Sequence, residues 1–148
     1  MKDAVILVLG GGPAAEAKLR TLIKTEAKIK VISPEISNEI ALWESKGLLK
    51  TETREFNPSD LKGVRLVYAA TEDDDVNAKI ADLARTQGLL INAADQKEAC
   101  DFITPALVDR SPVIVSIGTE GTSPSLARAI KTDLEAVSYT HLTLPTKA

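Results

Sequence analysis

Gly10, Gly12 and Ala15 stand at the spacing G-x-G-x-x-A, directly after the apolar run Val5-Ile6-Leu7-Val8-Leu9. A β-branched run that stops at glycines and gives way to helical spacing (Ala14, Ala15, Leu19, Leu22, Ile23) predicts strand, tight turn, helix. That order points free backbone N–H groups at an anion, and this spacing suits the pyrophosphate of a dinucleotide. The first glycine makes the turn, the second lets the phosphates reach the backbone, and the third small residue lets helix and strand pack closely. Pro13 fits the first helical turn, where a missing N–H costs little. A Walker A loop is excluded, because no Gly-Lys-Ser/Thr closes the segment. A plain strand-to-helix turn carries the same residues, so the glycines alone do not decide.

Two further stretches hold groups able to bind or react. Ser33-Pro34-Glu35 ends the next apolar run, Ala27 to Ile32, where a dinucleotide fold meets the adenosine ribose. Ser33 offers a hydroxyl, Glu35 lies two residues beyond the tip, and no neighbour in sequence is an arginine suited to a 2′-phosphate; this leans towards NAD over NADP. A Ser-Pro turn leading into a helix would look the same. The acids Glu72-Asp73-Asp74-Asp75 read as the first turn of a helix, where they favour the dipole, in preference to a metal site.

The elements needed to position these groups follow from periodicity. Ile36, Ile40 and Trp43 have helical spacing, with Gly47 as the C-cap; Leu48 to Phe56 alternates as a strand. Val64 to Ala70 reads as a buried strand, and Thr71 or a following aspartate caps the helix of Val76, Ile80, Leu83 and Ala84. Gly88 to Asn92 forms the next strand. Such alternation predicts an α/β fold, a Rossmann-type parallel sheet with helices on both faces and ligands past the strands' carboxyl ends. Those ends, including Thr71 and Asn92, form one row. From Phe102 the pattern changes to two extended stretches, Phe102–Pro105 and Val113–Gly118. Ser123 as N-cap with Pro124 behind it then opens a helix bearing Leu126, Ala127, Ile130 and Leu134.

The expected division is a nucleotide-binding domain over 1–112, the start of a small dimerisation element over 113–136, and a non-native tail over 137–148. The tail is expected to continue no helical period, which removes His141, the sole histidine, from catalysis. The chain has 148 residues, 44% hydrophobic and 26% charged, with a net charge of −3. That balance argues against nucleic acid or an anionic membrane as a partner. No apolar run approaches the roughly 20 residues that span a bilayer. Met1-Lys2-Asp3 reads as no signal peptide, and Cys100 stands alone, so a cytoplasmic setting is expected.

Three collinear segments resemble the precorrin-2 dehydrogenase and sirohydrochlorin ferrochelatase family, including the amino-terminal module of sirohaem synthases. They are Gly10–Lys18, Ala69–Asn77, and Asn92–Lys97 through Phe102, Pro105 and Asp109-Arg110-Ser111-Pro112 to Gly121-Thr122-Ser123-Pro124. The likeness covers residues 4–136. It implies oxidation of precorrin-2 to sirohydrochlorin with NAD, in some members also insertion of Fe²⁺, and a homodimer. It places NAD on Gly10, Gly12, Pro13, Ala14 and Ser33-Pro34-Glu35, and the key acid at Asp95. Ala14 and Ala17 stand where the family usually has Val and Arg. The family also continues into a helical region that completes the dimer and helps enclose the tetrapyrrole.

With no usable histidine, a carboxylate is the natural base, and Asp95 follows the fifth strand at the carboxyl edge. The same acid, near the macrocycle, could take pyrrole protons while iron enters. As a plain loop acid it would cap the turn before Lys97. Asn92 either bonds the nicotinamide ribose or ends its strand. Lys97, Arg110 and Arg128 match a polycarboxylate substrate, and Thr119 and Ser123 line the later loop. The rival functions are a non-catalytic NAD-binding regulatory module and a truncated remnant that binds NAD without turnover.

Overall fold

A computed structural model of the chain describes residues 3–141, the side chains of 138–141 excepted. Contacts divide it into two units, one up to Phe102 and one from Ile103 on.

The first unit alternates strand and helix. Its elements are β1 (Val5–Leu9), α1 (Pro13–Leu22), β2 (Lys28–Ser33), α2 (Asn38–Ser45), β3 (Lys50–Thr53), β4 (Leu66–Ala69), α3 (Asp74–Thr86) and β5 (Leu90–Ala93). A short 3₁₀ turn, Pro58–Leu61, leads into β4, and another, Lys97–Ala99, follows β5. The five strands pair in parallel in the order β3-β2-β1-β4-β5. The chain leaves the central strand β1 in one direction and returns to its other side at β4. The register places Leu9 opposite both Ile32 and Ala69, and Ser33 opposite Thr53, so the carboxyl ends finish level.

Burial on both faces explains why β1 is apolar throughout. Ile6 and Val8 face one core with Leu19 and Leu22 of α1 and Ile40 and Trp43 of α2. Leu7 and Leu9 face the other, with Ile80, Ala81 and Ala84 of α3 and Leu61 of the 3₁₀ turn. Helices thus cover both faces, as the alternation predicts.

The second unit is an antiparallel hairpin, β6 (Ala106–Arg110) and β7 (Val113–Ile117), with α4 (Pro124–His141) packed mainly on β6. Three expectations change here. The boundary falls after Phe102 rather than near 112, because β6 pairs only with β7. The extended segment is 106–110 rather than 102–105; Pro105 has no N–H to give a ladder, and pairing begins just after it. No break occurs at Val137: α4 continues to His141, with Val137 extending the 3–4-residue spacing of Leu126, Ile130 and Leu134. The remainder of the expected tail, 142–148, lies outside the described residues. Ser123 does cap α4, its Oγ accepting from the Leu126 N–H at 3.3 Å.

Candidate functional site

The level strand ends of the first unit leave a cleft of about 620 Å³ around the glycine turn. Gly10, Gly11 and Gly12 form one wall, and Ser33 to Ser37 after β2 form the second. Ala70 to Asp73 after β4 form the third, with Glu55 and Phe56 beyond β3. The floor is apolar, from Leu9, Ile32, Val76 and Ile80. Every charged side chain in this lining is acidic: Glu35, Glu55, Glu72 and Asp73.

Backbone hydrogen bonds tie the walls together. Gly10 donates to Ile32 O at 3.1 Å, Ser37 to Gly11 O at 2.9 Å, and Ala70 to Leu9 O at 2.7 Å. Gly10 has φ +122°, and a Cβ there would lie 2.1 Å from Ala70 O. A Cβ on Gly11 would lie 1.9 Å from Glu35 O. Gly12 differs, since a Cβ would meet only Glu72 Oε1, at 3.4 Å. Two glycines therefore let neighbouring loops touch, while the third keeps backbone bare towards the cleft. Gly12 is also the N-cap of α1, with no side-chain cap bond, and Pro13 begins the helix. An uncapped helix start behind a bare glycine suits a pyrophosphate, so the residues present fit a dinucleotide.

The third wall is held by a residue that spacing alone does not reveal. Asn77 is 1% exposed. Its Oδ1 accepts from the Thr71 N–H at 3.1 Å and lies 2.7 Å from Thr71 Oγ1, and its Nδ2 donates to Thr71 O at 3.0 Å. Asp73 caps α3, its Oδ1 accepting from the Asp75 and Val76 N–H groups. Asp74 and Asp75 fill the first turn, in keeping with the dipole reading of the acid run. Among the described residues no group of three or more acidic, His or Cys side chains could hold a metal.

The other expected site residues are spread more widely. Gly10, Gly12, Ser33, Pro34, Glu35 and Thr71 meet in the cleft, with Pro13 and Ala14 at the helix start beside them. Asn92 is buried at 4% exposure; one Nδ2–H donates to Phe102 O at 2.9 Å, and its buried Oδ1 has no partner among the described residues. Asp95 follows β5 with φ +58° and opens on a separate groove of about 550 Å³, which Lys97, Asp82 and Arg85 also line. Arg110, Thr119, Ser123 and Arg128 belong to the second unit. There Arg110 Nη2 reaches Glu135 O at 3.4 Å, and Thr119 Oγ1 donates to Ser123 O at 3.1 Å. Asp109 Oδ1 accepts from the Ser111 N–H at 3.2 Å, giving the Asp-Arg-Ser-Pro segment a local role in the hairpin turn. Glu55 and Phe56 are contributors that the sequence pattern does not single out, and Gly11 and Asn77 fall inside the resembling segments without a role of their own being read there.

Comparison with known proteins fits this arrangement. Residues 1–106 match the model of an NAD(P)-binding family. The structure superposes on that of SirC, precorrin-2 dehydrogenase, with a TM-score of 0.80 and 32% identity, over 94% of this chain and 70% of that one. The chain belongs to the precorrin-2 dehydrogenase family. Sirohaem synthases of Nitrosococcus oceani and Nitrosomonas europaea are each 41% identical to it, over 131 and 138 residues. These stretches make up 88% and 93% of this chain but 28% and 29% of those relatives, so this precorrin-2 dehydrogenase homologue spans under a third of their length. No helix among the described residues is long and apolar enough to cross a membrane.

Proposed function

We propose that this chain catalyses NAD-dependent dehydrogenation of precorrin-2 to sirohydrochlorin, within sirohaem synthesis. The observation that carries this reading is the cleft at the strand ends, where a bare Gly12 and an uncapped α1 meet Ser33 and Glu35. When bound, the dinucleotide supplies the hydride acceptor. The protein's part is position and proton handling. The α1 N–H groups hold the pyrophosphate, and Ser33 and Glu35 take the adenosine ribose hydroxyls. Asp95, exposed in the loop just past β5, receives the proton released as the substrate loses its hydride. Lys97, Arg110 and Arg128 carry charges that match substrate carboxylates, and Thr119 and Ser123 belong to the loop that opens α4. The same acid serves iron insertion, as a second activity with Fe²⁺ as substrate, by taking pyrrole protons.

The assembly we propose is a homodimer formed through the second unit. Ile114, Leu126 and Val137 there are 64%, 51% and 54% exposed. Apolar groups this exposed are suited to burial against a second copy.

The deciding experiment mixes the chain with precorrin-2 and NAD under anaerobic conditions and follows NADH and the sirohydrochlorin spectrum together. Both should appear, and Asp95→Ala should slow them by about a hundredfold or more. NAD binding without NADH would leave a nucleotide-binding remnant.

A further inference from the structure

The sequence places no arginine beside Ser33, but the fold does. Ser33 pairs with Thr53, and the next residue, Arg54, donates its N–H to Ser33 O at 3.2 Å. Arg54 therefore stands beside the strand tip that meets the adenosine ribose, where an arginine ordinarily receives the 2′-phosphate of NADP. Here all five of its donors are spent. Nη1 and Nη2 grip Asp60 at 2.8 and 2.7 Å, Nε reaches Glu52 at 2.8 Å, Nη2 also contacts Glu52, and Nη1 donates to Glu55 O at 2.9 Å. Lys30 Nζ lies 2.7 Å from Glu52, so two cations are matched by two carboxylates. Asp60 is itself fixed, its side chain 8% exposed and accepting from the Asn57 N–H at 2.9 Å in a capping box. The next residues along, Glu55 and Phe56, line the cleft.

We infer that Asp60 and Glu52 set the cofactor preference of this cleft by withholding Arg54 from it. The inference rests on the dinucleotide-binding reading above. With Arg54 neutralised, the charges facing a bound adenosine are those of Glu35, Glu55, Glu72 and Asp73, which accept from hydroxyls and repel a 2′-phosphate. The geometry thus selects the cofactor with a free 2′-hydroxyl.

Calorimetric titration of the whole chain with NAD and with NADP tests this without any turnover. The unaltered chain should bind NAD at least about tenfold more tightly than NADP. In the isosteric double variant Glu52→Gln, Asp60→Asn, NADP should tighten by about tenfold while NAD stays within about threefold. Adding Arg54→Met should cancel that gain. Thermal unfolding run alongside reports whether each variant is folded. If the double variant is not, Glu52→Gln alone, at a side chain 41% exposed, should give a smaller gain in the same direction. Unchanged NADP affinity in a folded variant, or a gain that survives Arg54→Met, would overturn the inference. An unaltered chain that binds neither nucleotide would instead remove the cofactor reading on which the inference stands.

Discussion

At the residue scale, the three glycines do different work. Gly10 and Gly12 belong to the fingerprint, yet Gly11 is the one whose Cβ would come closest to a neighbouring loop, 1.9 Å from a backbone oxygen. Gly11→Ala should therefore lower stability by about 1–3 kcal/mol, as the loops after β1 and β2 are forced apart. Gly12→Ala should leave the melting temperature nearly unchanged but weaken dinucleotide binding by about tenfold or more, because only the ligand's approach is obstructed. Thermal unfolding and titration of both variants separate the two roles. The Arg54 guanidinium, with a smaller contribution from the Asn57 N–H, holds the Asp60 carboxyl below the usual carboxylate range. A carboxylate lowered in the folded state adds stability above its unfolded pKa of about 4, and that stability is lost as pH falls through the folded value. The melting temperature should accordingly drop on acidification below about pH 4, and Asp60→Asn should make that drop shallower.

At the element scale, the cleft's third wall depends on α3 gripping the loop after β4. Asn77 spends both ends of its amide on Thr71, at positions six apart in sequence, from a fully buried site. Asn77→Ala should cost about 1–3 kcal/mol, because the Thr71 N–H and carbonyl lose their partner. Dinucleotide affinity should fall with it, whereas Ser123→Ala, at the cap of α4 in the second unit, should cost about 1 kcal/mol and leave affinity alone. Chemical denaturation with parallel titration distinguishes them. The alternating elements and the Ser123-Pro124 helix start were legible from local pattern, since periodicity and capping are near-neighbour effects. The placing of β6 was not: both stretches after Phe102 looked extended, and only cross-strand pairing with Val113–Ile117 decides which residues form the ladder.

At the scale of the whole molecule, the exposed apolar residues of the second unit make the oligomeric state testable. Ile114→Lys with Leu126→Lys should shift the mass seen by light scattering from that of the proposed dimer to that of a monomer, while far-ultraviolet dichroism stays the same, because both side chains are already exposed. The sequence alone determined the fold class, the glycine turn and its ligand class, because an apolar period and a missing Cβ act locally wherever the chain goes. Only the tertiary structure decided which distant groups share a wall. It set Gly11 against Glu35 O and committed one Asn92 amide N–H to Phe102 O. It also opened Asp95 on its own groove and brought Arg54 beside Ser33 with every donor already taken. Those juxtapositions come from strand order and register, which join residues about 10 to 25 positions apart, and no local pattern encodes them.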